Sequence, residues 1–321
     1  MKCRAKKMKS NLIFSALAIS EGKETSVNLS SKESASQTYY KNVIVSLVSA
    51  KIKNPQSDVA LVTNIDVPKA YANILASNHI LIFIVPFDNF VFDGSYKWCL
   101  AFYKLCALKK ILEIGYKKVC MVDSDTYFSS SIDDLFEESD STIFLYNLNR
   151  RLRAPGRKDF NKEVEEFGID PKHTLDIGGE IIAGDCFILS SLIHRCLEIY
   201  EKMRETGFKT SFGDEFILRI SAYSFIEYIR PANSYLYRYW TGSFQLTSTN
   251  YLFNKVSIYH VPQEKEFGMI KLYRYIDRKR SLPSNSTAVR ALHLKHRRLI
   301  LYIKYLILKF TKKIDERFYW D

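Results

Sequence analysis

Dense apolar runs alternate along the first part of the chain with stretches in which apolar side chains recur every three or four positions. Residues 11–19, 58–64 and 80–85 have the length and composition of buried strands. Helices are predicted between them, near 38–53 and from Pro68 to about Ser77. A third helix is predicted over Trp98–Leu112, because Leu100, Leu105, Leu108, Ile111 and Leu112 are spaced for one buried face and Gly115 follows as a C-terminal glycine. Residues 118–122 form the next strand, and Ile132–Phe136 opens a short helix. Strands alternating with helices predict an α/β fold with a Rossmann-like, mostly parallel sheet and flanking helices.

The strand over 118–122 ends abruptly in Asp123-Ser124-Asp125. Ligands of open α/β sheets bind where parallel strands end, so both carboxylates are expected to face a crevice. Carboxylates placed there are costly without a compensating positive charge. A divalent cation carrying a diphosphate compensates them, and hard oxygen ligands suit Mn²⁺ or Mg²⁺. The bland reading is a solvated turn after a strand, which a bare Asp-x-Asp pattern does not exclude.

The surroundings add a resemblance. Phe102-Tyr103-Lys104-Leu105, then Tyr116–Thr126, then Ile132-Asp133-Asp134-Leu135-Phe136 resemble glycogenin and its relatives. Those are glycosyltransferase family 8 enzymes of GT-A fold, which include bacterial lipopolysaccharide glucosyl- and galactosyltransferases. The resemblance implies that Asp123 and Asp125 bind Mn²⁺, which bridges the diphosphate of a UDP-sugar, and that Lys104 lies near the donor. Gly213-Asp214-Glu215 is similar to the family's Gly-Asp-Gln, whose aspartate contacts the reacting sugars. Asp214 is also a good helix cap, worth about 1 kcal/mol, and the two roles can coexist. His260, closing the apolar run 256–259, stands where the family has its third metal ligand; Lys265 is preferred to Lys271 as the diphosphate cation.

Other positions are read from the residues themselves. Thr63, Asn64 and Asp66 close the second strand, where a polar side chain can meet uridine or ribose, and Asp66 is taken as the donor contact; a capping turn before Pro68 is the rival reading. Residues 149–175, polar and broken by Pro155, Gly156, Gly168 and Pro171, suit an acceptor-facing loop region or, equally, a variable surface insertion. The glycines of Ile177–Leu189, in a strand context, suggest close approach of backbone to a ligand or a bulge.

Composition changes the picture at the two ends. With 321 residues, 47% of them hydrophobic, the chain is expected to form one large catalytic domain over 10–275 and an appendage over 276–321. Six cysteines without a C-x-x-C pair read as buried thiols in a reducing compartment. The basic N-terminus followed by Leu12–Ala18 mimics a signal peptide. A first strand is preferred there, because the nucleotide crevice needs its first βα unit. From Lys271 to Lys313 there are thirteen Lys or Arg and one acid, a surplus equal to the whole chain's +12. A helix over 295–313 would be amphipathic and basic, too short and charged to span a bilayer but suited to an anionic membrane surface; a helix docked on the protein's own core is the alternative.

The expected activity is therefore transfer of a hexose from a UDP-sugar to a glycan or glycolipid acceptor, with retention implied by the resemblance. The expected location is the cytoplasm, peripheral on a membrane, and no nucleic-acid partner is expected. Two other readings stay open: a haloacid-dehalogenase-like phosphatase, whose first motif Asp123–Thr126 partly matches, and a basic nucleic-acid-binding protein.

Overall fold

The computed structural model describes residues 9–20, 35–93, 96, 99–148, 155–241 and 256–294. The described residues open with strand β1 (Lys9–Leu17), helix α1 (Ala35–Lys53), β2 (Asp58–Thr63), α2 (Lys69–Ser77) and β3 (Leu81–Ile84). Helix α3 (Tyr103–Leu112), β4 (Tyr116–Val122), β5 (Thr126–Phe128), α4 (Asp133–Glu137) and β6 (Ile143–Asn147) follow. The second half adds α5 (Pro155–Glu166), β7 (Ile177–Asp185), α6 (Cys186–Thr206), α7 (Asp214–Tyr223), β8 (Ile229–Pro231) and β9 (Leu236–Arg238). Then come β10 (Ile258–His260), α8 (Gly268–Lys279) and α9 (Asn285–Ala291).

Among the described residues, seven strands form one sheet in the order β3-β2-β1-β4-β7-β6-β8, and β5-β10-β9 form a small second sheet. In the large sheet every pairing is parallel except the two made by β7. Strand alternation sorts the side chains into two cores. Ile13, Val59, Leu61, Cys120 and Val122 pack on one face with α1, α8 and the small sheet, while Leu12, Phe14, Ala60, Val62 and Met121 pack on the other with α3, α6 and α7. Burial on both faces explains why these strands read as continuous apolar runs.

From β1 the chain first winds outward to β2 and β3, then crosses to β4 on the other side. The C-terminal ends of β1 and β4 therefore flank a switch in winding direction, where such sheets open a crevice. Because β7 runs antiparallel, its first residues return to the same edge as the end of β4, and Asp123 N–H donates to Glu180 O at 3.0 Å.

Several expectations change in detail. Helix α3 begins at Tyr103 rather than Trp98, because tight turns such as Tyr103 N–H to Leu100 O precede it. The expected loop region 149–175 is largely helical where described. Pro155 starts α5, a position that needs no N–H donor; Phe160, Val164 and Phe167 then bury one face beside Phe216. Within 177–189 the strand stops at Asp185, whose carboxylate caps α6 by accepting from Phe187 N and Ile188 N. Residue 275 lies inside α8, and α9 is packed on the body through Ala288 and Val289. The basic helix expected over 295–313 lies outside the described residues. No helix among the described residues is long and apolar enough to cross a membrane.

Candidate metal centre

Two local pairings build the site. Directly after the Asp123-Ser124-Asp125 turn, β5 pairs antiparallel with β10, placing His260 opposite Thr126, and Val261 N–H donates to Asp125 O at 3.0 Å. The turn is pinned from beneath: Thr126 Oγ1 donates to Asp123 O at 2.9 Å and meets Ser46 Oγ of α1 at 2.6 Å. The motif and a histidine far along the chain are thereby brought together by backbone register. His260 Nε2 lies 3.4 Å from Asp125 Oδ1 and 3.6 Å from Asp123 Oδ2. One donor atom from each of the three residues lies within 4.8 Å of the others.

Cations surround these donors. Lys265 Nζ, nearly buried, sits 2.9 Å from Asp125 Oδ2. Lys104 Nζ lies 3.1 Å from Asp123 Oδ1, 3.0 Å from Asp214 Oδ2 and 3.1 Å from the Gly179 carbonyl, to which it donates. Glu215 is held by Arg219 at 2.6 Å and lies 3.7 Å from Arg238. Arg238 in turn pairs with the buried Glu180, whose Oε1 lies 3.6 Å from His260 Nδ1. Five carboxylates (Asp123, Asp125, Glu180, Asp214 and Glu215) thus face four permanent cations (Lys104, Arg219, Arg238 and Lys265). The deficit falls on His260. Burial disfavours its charged form, but Asp125 and Glu180 outweigh that and push its pKa up to about 9. A divalent ion can supply the missing charge in place of that proton.

The carboxyl groups differ. Burial opposes ionisation of Asp125, yet Lys265 and His260 hold it well below the usual carboxylate range. Asp214 goes the other way: burial dominates over Lys104, and its carboxyl is pushed up to about 6. Lys104 remains a cation, since its two carboxylates outweigh the cost of burial.

The donor set fits a metal. Two carboxylates and an imidazole beside the switch point are a mixed hard-oxygen and nitrogen set, which Mn²⁺ accepts well. Asp125 Oδ2 is buried without a hydrogen bond of good geometry, despite the nearby Lys265. A buried carboxylate oxygen left in that condition is what a cation would satisfy.

The structure gathers Lys104, Asp123, Asp125, Asp214, Glu215, His260 and Lys265 into one cluster. Asp214 is not a cap. Gly213, with φ of 60°, occupies the N-cap position, and Asp214 is the first helical residue, turned to Lys104. Lys271 lies beside His293 on α8 instead, 3.4 Å away. Asp66 is exposed after β2 and joins none of the cluster's ion pairs among the described residues, while Asn64 binds both the N–H and the carbonyl of Ile19. The end of β2 therefore stitches β1 in place.

Sequence reasoning missed Glu180, Arg219, Arg238 and Tyr39. A single charge inside the apolar runs around Glu180 and Arg219 was an available signal, since a charge buried there requires a partner. Tyr39, partly buried on α1, lies within electrostatic reach of Lys265, Asp125 and Asp123, and burial pushes its hydroxyl pKa up. The glycines of β7 lie close to other protein groups. A side chain at Gly179 would press on Lys104 and Asp214, and one at Gly184 on the Thr142 carbonyl.

The fold and this cluster define an α/β protein with a candidate metal centre at the switch point of its sheet. The sequence matches no protein-family model, and no characterised protein matches it significantly.

Proposed function

We propose that this chain is a metal-dependent glycosyltransferase of GT-A type that transfers a hexose from a UDP-sugar to a glycan or glycolipid acceptor. The observation that carries the reading is the convergence of Asp123, Asp125 and His260 at the switch point, with Lys265 against Asp125 and Lys104 against Asp123. A cation site with flanking ammonium groups suits a diphosphate. A bound divalent ion would act as a Lewis acid toward the departing diphosphate.

The chain's own residues would do the rest. Lys265, partly desolvated, would offset negative charge growing on the leaving group. Asp214, at the start of α7 and joined to Asp123 through Lys104, would orient sugar hydroxyl groups beside the reacting centre. Arg219 and Arg238 keep Glu215 fixed next to it. Peripheral association with an anionic membrane through the basic C-terminal segment belongs to the same proposal, since a lipid-linked acceptor is reached at that surface.

The test is calorimetric titration of UDP into the full chain with and without Mn²⁺, repeated on Asp125→Ala. Binding that needs Mn²⁺ and disappears in the variant is expected. Folded protein that ignores UDP under both conditions would remove the reading, and phosphatase assays would then take its place.

A further inference from the structure

We propose that Glu180 is the positioning residue for His260, accepting a hydrogen bond from Nδ1–H so that Nε2 keeps its lone pair for a metal ion. The inference rests on the metal centre proposed above and concerns a residue outside the ligand set.

The imidazole is fixed between two different environments. Its Nε2 faces Asp125 and Asp123, at 3.4 and 3.6 Å. Its Nδ1 faces Glu180 Oε1 at 3.6 Å and, being buried, makes no hydrogen bond to any described residue. A shift of less than about 1 Å would bring that pair into hydrogen-bond range. A metal drawing on Nε2 leaves the proton on Nδ1, and a carboxylate is the usual partner for the second nitrogen of a ligating histidine.

Three features show that Glu180 is placed rather than incidental. Its backbone carbonyl accepts from Asp123 N–H at 3.0 Å, so the sheet holds it level with the first carboxylate of the motif. Arg238 pairs with Oε1 and is itself anchored toward Glu215, fixing the carboxylate plane. Finally, Gly178 makes room: a Cβ there would lie 1.9 Å from Glu180 Oε2 and 2.8 Å from Arg238 Nη2. A side chain at residue 178 would therefore evict the carboxylate.

The experiment uses the full chain and Mn²⁺ alone. Calorimetry gives the affinity, and pulsed electron paramagnetic resonance of bound Mn²⁺ gives the nitrogen coupling from His260. Glu180→Gln, which keeps the shape and loses the charge, is expected to weaken Mn²⁺ about 10- to 100-fold and to change the nitrogen coupling. Gly178→Ala should move both in the same direction by displacing Glu180, and it carries the test if Glu180→Gln does not fold. Wild-type affinity with unchanged coupling in a folded variant would overturn the proposal. So would a lowered unfolding temperature with both readouts intact, because that is all a structural carboxylate would produce. A different failure marks the metal centre itself: wild-type protein showing no nitrogen-coupled Mn²⁺ would sink that reading and the role of Glu180 with it.

Discussion

Lys104 Nζ lies 3.0 Å from Asp214 Oδ2, tying the first turn of α3 to the first residue of α7. The same ammonium holds Asp123 at 3.1 Å, so one cation is shared between the metal motif and the helix that follows Gly213. Replacing it with methionine would leave two carboxylates facing each other in a largely buried space. Breaking such a pair from one side costs about 3 kcal/mol at the lower end of the usual range, appropriate to side chains that keep some exposure to water. Lys104→Met should lower the urea midpoint accordingly with an unchanged slope, and Mn²⁺ should recover part of the loss by neutralising Asp123. An unchanged midpoint would mean that the pair is solvated and unimportant.

Asp214 gives a pH signature of known sign. Its carboxyl is pushed up to about 6 by burial, whereas an unfolded aspartate titrates near 4. The native state therefore holds the proton more tightly. Its contribution to stability is fully present below about pH 4 and is lost as pH rises through about 6. The ionised group then costs up to about 3 kcal/mol at neutral pH. Asp214→Asn should melt higher than the wild type above pH 6, with the two curves converging toward pH 4. Any transferase activity should fall in the same variant. Parallel melting curves across this range would show that Asp214 is ionised without penalty.

The strands were legible because burial on both faces writes them as unbroken apolar runs, as in Val59–Val62 and Val119–Val122. Asp123 and Asp125 were legible because they interrupt such a run at its end. His260 was reachable only through the family resemblance, since its approach to Asp125 depends on β10 pairing with β5. Glu180 and Arg238 escaped for the same reason: they are far apart in sequence, and their pairing is set by tertiary structure. Asp66, taken as a donor contact on position alone, is exposed and joins none of the cluster's ion pairs among the described residues. The residue after β2, Asn64, binds Ile19 beyond β1, and Asp66 stands outside the cluster.

Gly184 tests the packing reading of β7 against a ligand-binding one. It sits between β4 and β6, and a Cβ there would fall 2.4 Å from the Thr142 carbonyl oxygen and 3.3 Å from Leu189 Cγ. Backbone cannot yield as a flexible side chain can, so Gly184→Ala should cost about 2 kcal/mol, typical of overpacking. Mn²⁺ affinity of the folded protein should stay at the wild-type value, because Gly184 lies toward the opposite end of β7 from Glu180. A large loss of metal affinity without loss of stability would instead place Gly184 at the ligand.

The metal should stabilise the folded chain by mass action. Asp123, Asp125 and His260 come from a turn and a strand far apart in sequence, so the unfolded chain offers no comparable site. At free Mn²⁺ about 100 times its dissociation constant, binding to the native state alone adds about 2.7 kcal/mol. For a protein of this size that corresponds to a rise in melting temperature of roughly 5 °C. Asp125→Asn keeps the side-chain volume but replaces an ionised ligand, one held strongly acidic by Lys265 and His260 despite its burial. The variant's own melting temperature should fall, and Mn²⁺ should no longer raise it. Magnesium should stabilise the wild type less than manganese, because the imidazole of His260 suits the softer ion better. An equal rise in Asp125→Asn and the wild type would place the ion elsewhere on the protein, and the cluster would then be a network of ion pairs closed by a protonated histidine.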